Sequence, residues 1–235
     1  MLHDKDIREP LFDFLEERYG KVRIIEEKTM GRSRADIVMV TESCLIGIEI
    51  KSDADTYARL SRQVRDYDRY FDRNIVVVGT SHALHIKEHV PSYWGIVTVD
   101  NCEDYPDFYL MREPDLCPKT SLKNKLSILW RNELAEIQSS LDMPKYKDRS
   151  KDFVIEKIIE KFPDETDIPR LNELISELLF ERDYNTVQED LKEYRKGELQ
   201  KAIEKESDPQ KKIELMMKQA EKKKAFRPKR KRKRR

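Results

Sequence analysis

Asp36, Glu49 and Lys51 are the residues of this 235-residue chain whose types and spacing could do chemistry. They lie in "SRADIVMVTESCLIGIEIKSD", residues 33–53, where two apolar runs are separated by Glu42-Ser43. If Glu42-Ser43 is a two-residue turn, Asp36 falls opposite Glu49 on one face of a β-hairpin, with Cβ atoms about 4.5–5.5 Å apart. Lys51, two residues beyond Glu49, shares that face. Ile37, Met39, Ile46, Ile48 and Ile50 collect on the other face, and a three-residue turn would break the arrangement. Adjoining carboxylates repel, and each has its pKa raised unless a cation sits between them. A hard divalent ion such as Mg²⁺ suits the pair, because it favours carboxylate oxygens and keeps several waters. It would acidify a bound water and neutralise charge developing on a phosphodiester, while the lysine orients that water or stabilises the transition state. The competing reading of the same three residues is a surface salt-bridge cluster at a sheet edge.

The elements that must position these residues surround them. "DKDIREPLFDFLEERY", residues 4–19, sets Ile7, Leu11, Phe14 and Leu15 on one helical face, and Gly20 ends it. Pro10 means either that this helix starts near Glu9 or that it is kinked. Residues 21–27 read as a strand, "KTMGRSR" as a mobile basic loop, and residues 35–41 and 44–51 as the hairpin strands. "DADTYARLSRQVRDYDRYFD" is an amphipathic helix with Asp53 or Asp55 as N-cap and with Leu60, Val64, Tyr67 and Phe71 recurring every three or four residues. A strand "NIVVVGT", a short helix "SHALHIKEHV" and a strand "WGIVTVD" follow. Helix, three strands, helix, strand, helix, strand is the order of an α/β domain over residues 1–100.

Gln63 and Tyr67 lie four apart on one face of the second long helix. Ala35-Asp36, Glu49-Ile50-Lys51 and Gln63-Val64-Arg65-Asp66-Tyr67 together give residues 4–100 a pattern that resembles the PD-(D/E)XK nuclease superfamily. The likeness is to its RecB-like branch with a Gln-x-x-x-Tyr motif, and to small stand-alone bacterial members. Ala35 stands where the motif has proline. The resemblance implies an αβββαβ restriction-endonuclease-like core. It implies Asp36, Glu49 and the Ile50 carbonyl as ligands of Mg²⁺ or Mn²⁺, Lys51 as the catalytic lysine, and Gln63 and Tyr67 holding the site or the DNA strand. A further acid is expected from the first helix, either Asp6 or Glu9, with Glu27 on the preceding strand as another candidate. The implied activity is metal-dependent hydrolysis of phosphodiester bonds, chiefly in DNA. The alternative is a nuclease-fold protein that no longer cuts and serves as a DNA-binding or recruitment module.

Beyond Asp100 the character changes. Pro106, Pro114 and Pro118 punctuate a connector over residues 101–118, and residues 119–221 read as an α-helical region. Helices are expected near 121–141, 151–162, 169–183, 187–205 and 209–224. Charged residues make up 40% of the chain against 38% hydrophobic, so the core concentrates in the Val- and Ile-rich first half. The last stretch, "KKKAFRPKRKRKRR" at 222–235, has eleven basic residues and no acid, which suits a disordered tail that meets nucleic-acid phosphates. The helical region leaves room for a protein partner or a second copy. Cys44, Cys102 and Cys117 lack CxxC spacing and read as reduced thiols. No run of about 18 apolar residues is present, so a cytoplasmic protein without a membrane span is expected. His82, His85 and His89 read as a packed or solvated helix, and Tyr93-Trp94 as a core plug where a strand begins.

Overall fold

Six strands make one mixed sheet in the order β1-β2-β3-β4-β5-β6. The computed structural model describes residues 3–102, 105–163 and 168–182. Its strands are β1 (Arg23–Met30), β2 (Ser33–Val40), β3 (Leu45–Lys51), β4 (Arg73–Gly79), β5 (Gly95–Cys102) and β6 (Tyr105–Arg112). The first three are antiparallel neighbours, β3, β4 and β5 run parallel, and β6 returns antiparallel along the edge. Strands β3 and β4 are buried almost end to end, as their apolar runs require when both sheet faces are covered.

Helix α1 (Asp4–Tyr19) covers one face. Its Ile7, Leu11 and Leu15 pack with Ile37, Met39, Ile46, Ile48 and Ile50, the set that the two-residue turn assigns to that side. The helix begins at Asp4 and runs through Pro10, whose ring nitrogen cannot donate to the Asp6 carbonyl. On the other face, α2 (Leu60–Tyr70) buries Leu60, Val64 and Tyr67. It is joined there by α3 (Leu122–Leu126), α4 (Arg131–Ser140), α5 (Lys151–Ile159) and α6 (Ile168–Glu181). One apolar cluster runs from Val38 and Val40 through Leu126, Leu134 and Ile155 to Leu171 and Leu179, so these helices share a core with the sheet. The expected helices at 187–205 and 209–224 and the basic tail lie outside the described residues. No helix among the described residues is long and apolar enough to cross a membrane.

Several elements differ from the sequence reading, each for a local reason. Residues 28–34 are not a loop but the tip of the β1–β2 hairpin. Met30 and Ser33 are buried there, and the turn is tied to α2. The Gly31 N–H donates to the Tyr70 hydroxyl at 3.1 Å, and the Ser33 hydroxyl donates to Asp66 at 2.5 Å. The stretch read as a connector contains β6, in which Phe108 and Leu110 face the α1 core while Tyr105, Tyr109 and Met111 are exposed. Pro106 is tolerated because β6 is an edge strand. Neither Asp53 nor Asp55 caps α2. Asp55 accepts from the Ser52 N–H and hydroxyl at 2.9 and 2.7 Å, Asp53 accepts from Ser81, and a 3-10 turn at Tyr57–Arg59 leads into the helix. The helix expected over 121–141 breaks before α4, whose first turn is closed by the Trp130 N–H donating to Glu133 at 2.6 Å. The histidine segment has only a 3-10 turn at Ile86–Glu88, with the His82 and His89 rings on Tyr57 at 4.8 and 4.1 Å.

Candidate active site

The β2–β3 hairpin closes as a two-residue turn, with the Thr41 N–H donating to the Cys44 carbonyl at 3.0 Å. Pairs Val40↔Leu45, Met39↔Ile46, Val38↔Gly47 and Ile37↔Ile48 follow, and the ladder stops there. The next position brings Asp36 opposite Glu49. Continued alternation would give the Ile50 N–H to the Ala35 carbonyl. That N–H goes instead to Asp36 Oδ2 at 2.9 Å, so a side chain replaces a rung of the sheet. The Tyr67 hydroxyl fills the rest of the gap. It accepts from the Asp36 N–H at 3.2 Å and lies 3.1 Å from the Ile48 carbonyl and 2.8 Å from Glu49 Oε2, to one of which its single proton is donated. Gly47 makes this approach possible, because a Cβ there would run into the Tyr67 and Phe71 rings.

The splayed end opens into a cleft of about 560 Å³. Asp36, Glu49, Ile50, Lys51, Gln63 and Glu27 all line it, so the structure brings most of the sequence candidates together. Glu49 is 1% exposed and Lys51 is 5% exposed. The Lys51 ammonium and the Gln63 amide both donate to Glu49 Oε1, and the Gln63 Oε1 is buried without a hydrogen-bond partner. Tyr67 is fully buried beneath the cleft and lies too deep to touch a bound strand. Its hydroxyl pKa is raised well above the usual phenol, first by burial and then by the Glu49 and Asp36 charges. Burial, and next the Glu49 charge, push the Asp36 carboxyl up to about 7, against the opposing pull of the Ile50 N–H, Lys51 and Arg8.

The first helix contributes differently from expectation. Asp6 and Glu9 are exposed and do not line the cleft, and the Asp6 carboxylate accepts from the His3 N–H at 3.1 Å. Asp4 and Arg8, one helical turn apart, occupy the cleft wall instead. Glu27 stands there with a left-handed backbone (φ 55°), between the intact pairs Glu26↔Ile37 and Lys28↔Ala35. It meets Arg8 at 2.8 Å and Arg34 at 2.5 Å. Four exposed arginines rim the cleft, Arg32 and Arg34 from the β1–β2 hairpin and Arg59 and Arg62 from the start of α2. Sequence reasoning missed them because they come from segments 25 or more residues apart. The basic character of "KTMGRSR", which holds Arg32 and Arg34, and Arg62 beside Gln63 were the available signals.

Two carboxylates with an incompletely compensated charge, a carbonyl-bearing strand edge and an orphaned amide oxygen form an oxygen donor set suited to a hard divalent cation. The group stops short of a ready cage, since no cluster of three or more His, Cys, Asp or Glu among the described residues is arranged to hold a metal ion. Fold and cleft together define a mixed α/β protein with a buried acid–lysine centre at the open end of a central hairpin. The family model for Bacteriophage P4 protein cII matches residues 1–186, and the chain belongs to that family. Comparison with curated proteins finds no match. Among solved structures, SfsA from Pyrococcus furiosus in complex with Ca²⁺ is 16% identical over 45% of this chain and 59% of that one, so the chain spans less than two thirds of it. The TM-score is 0.28, a likeness too low to inform the fold or the site.

Proposed function

We propose that this protein is a metal-dependent nuclease of the PD-(D/E)XK type that hydrolyses phosphodiester bonds in DNA, built on a restriction-endonuclease-like core. The observation that carries this reading is the partly exposed Asp36 opposite buried Glu49 and Lys51, opening into an arginine-rimmed cleft. Asp36, Glu49 and the Ile50 carbonyl would hold Mg²⁺ or Mn²⁺, which when bound acidifies water and neutralises charge on the phosphoryl group. Gln63 holds Glu49 through a hydrogen bond to Oε1, and the Tyr67 hydroxyl lies 2.8 Å from its Oε2. Lys51, paired with Glu49 here, would donate to the attacking water or to a phosphoryl oxygen. Arg32, Arg59 and Arg62 supply charge for the flanking phosphates, and the basic tail adds affinity at a distance.

A second reading has one observation in its favour. Arg8 already stands on Asp36 and Lys51 on Glu49, so the acids have protein cations as partners, as suits a binding or recruitment module that no longer cuts. The two readings separate in one assay. Pure protein is incubated with single-stranded, duplex, branched and flapped DNA, and with RNA, in Mg²⁺, in Mn²⁺ and in chelator. Metal-dependent products that vanish in Asp36→Ala support the nuclease, and binding without products supports the module.

A further inference from the structure

Arg8 is the cation toward which the acids of the cleft converge. Its Nε meets Asp4 at 2.7 Å, its Nη1 meets Glu26 at 3.4 Å, and its Nη2 meets Glu27 at 2.8 Å and Asp36 Oδ1 at 3.6 Å. Nη1 also donates to the Asp36 backbone carbonyl at 3.3 Å. All three guanidinium nitrogens are engaged, and the side chain is only 16% exposed. A planar fork held at every nitrogen cannot swing away, unlike the rim arginines at the surface. Asp36 is thereby gripped from both sides, Oδ2 by the Ile50 N–H and Oδ1 by Arg8. Carboxylates from α1, β1 and β2 would otherwise repel one another across this wall.

We infer that Arg8 acts as a built-in cation in the place of a second metal ion. It positions Asp36 for a single divalent ion and excludes another from the Asp4–Glu27–Asp36 side of the cleft. This rests on the metal-dependent reading of the site. It makes Arg8 a positioning residue whose removal changes how many cations bind, beyond any effect on folding. Arginine is specifically suited, because an ammonium is a point charge that cannot reach Asp4, Glu27 and Asp36 together in one plane.

The experiment is calorimetric titration of full-length protein with Mn²⁺ for wild type, Arg8→Gln, Arg8→Lys and Glu27→Gln, paired with cleavage kinetics. Wild type should show one binding event. Arg8→Gln should show a second, weaker event, and kcat reduced by about tenfold or more with KM little changed, the pattern of a lost preorganising charge. Arg8→Lys should keep the single event and recover part of kcat. Glu27→Gln, which removes one carboxylate holding the fork but keeps Arg8 on Asp36, should keep the single event and lose part of kcat. If Arg8→Gln only melts earlier, and its folded form keeps wild-type Mn²⁺ stoichiometry and kcat, Arg8 is a structural ion-pair residue and the inference is overturned. Should Arg8→Gln not fold, a wild-type kcat in Glu27→Gln, or a second Mn²⁺ event in Arg8→Lys, overturns it equally. Failure of the nuclease reading looks different, because wild type would then yield no products while the Mn²⁺ titrations still report on Arg8.

Discussion

Two aspartates of this protein, Asp68 buried and Asp36 partly exposed at the cleft, are treated in contrasting ways. Asp68, on α2, is 1% exposed and has a donor for every lone-pair direction that matters. The Trp94 indole N–H reaches Oδ1 at 2.8 Å, the Tyr93 hydroxyl reaches Oδ2 at 2.6 Å, and Asn74 and Lys119 stand at 3.4 and 3.5 Å. A single carboxylate so surrounded fastens α2 to the strand that follows Trp94. Asp36 instead has a second carboxylate as neighbour, and its own carboxyl is pushed up to about 7. The first arrangement stabilises the native state, whereas the second holds a charge imbalance that a bound cation would relieve. Unrelieved local cost marks a place for function more surely than burial alone.

The comparison breaks most visibly by mutation. Asp36→Ala or Glu49→Ala should abolish the proposed cleavage and leave the fold intact, as read by circular dichroism and product formation. Asp68→Ala should do the reverse. It strands the Trp94 and Tyr93 donors at about 1–3 kcal/mol each, measured by denaturant unfolding, while the folded fraction still cleaves. Full activity in either acid variant at the hairpin would remove the site assignment.

A smaller effect is expected in pH dependence. With its carboxyl near 7, native Asp36 binds a proton more tightly than it does in the unfolded chain, where an aspartate titrates near about 4. Its contribution to metal-free stability is therefore greatest at low pH. It falls as pH rises from about 4 to about 7 and is level above that. Melting curves of wild type and Asp36→Asn across that range check this, since the variant should lack that share of the slope. Glu27 gives a finer test at the cleft edge. Its left-handed backbone favours glycine, so Glu27→Gly should be more stable than Glu27→Ala by about 1 kcal/mol, although both lose the same carboxylate. Smallest should be the effect of removing residues 222–235 on cleavage at saturating enzyme. Binding should still lose salt sensitivity, with the slope of log affinity against log salt flattening by about 0.9 for each duplex phosphate released.

The hairpin could be read in advance because side chains alternate with a period of two. Once Glu42-Ser43 is the turn, Ile37↔Ile48 and the face of Asp36, Glu49 and Lys51 follow without reference to the rest of the molecule. Gln63 was legible for a similar reason, sitting on a helix face set by Leu60, Val64 and Tyr67. The first-helix residues were not. Whether Asp4 and Arg8 or Asp6 and Glu9 reach the cleft depends on how α1 lies across the sheet, and the apolar stripe of Ile7, Leu11 and Leu15 does not specify that. The left-handed backbone at Glu27 has no glycine to announce it. Strand β6 hid behind Pro106, although "YPDFYLMR" alternates inward and outward throughout.

The measurement that bears most directly on the central claim is Mn²⁺ binding by wild type, Asp36→Ala and Lys51→Ala, titrated at neutral pH in the absence of nucleic acid. Binding in wild type, its loss in Asp36→Ala and its retention in Lys51→Ala is the result expected if the acid pair holds the cation and the lysine serves the chemistry. Equal binding in Asp36→Ala and wild type, or none in wild type, would contradict it.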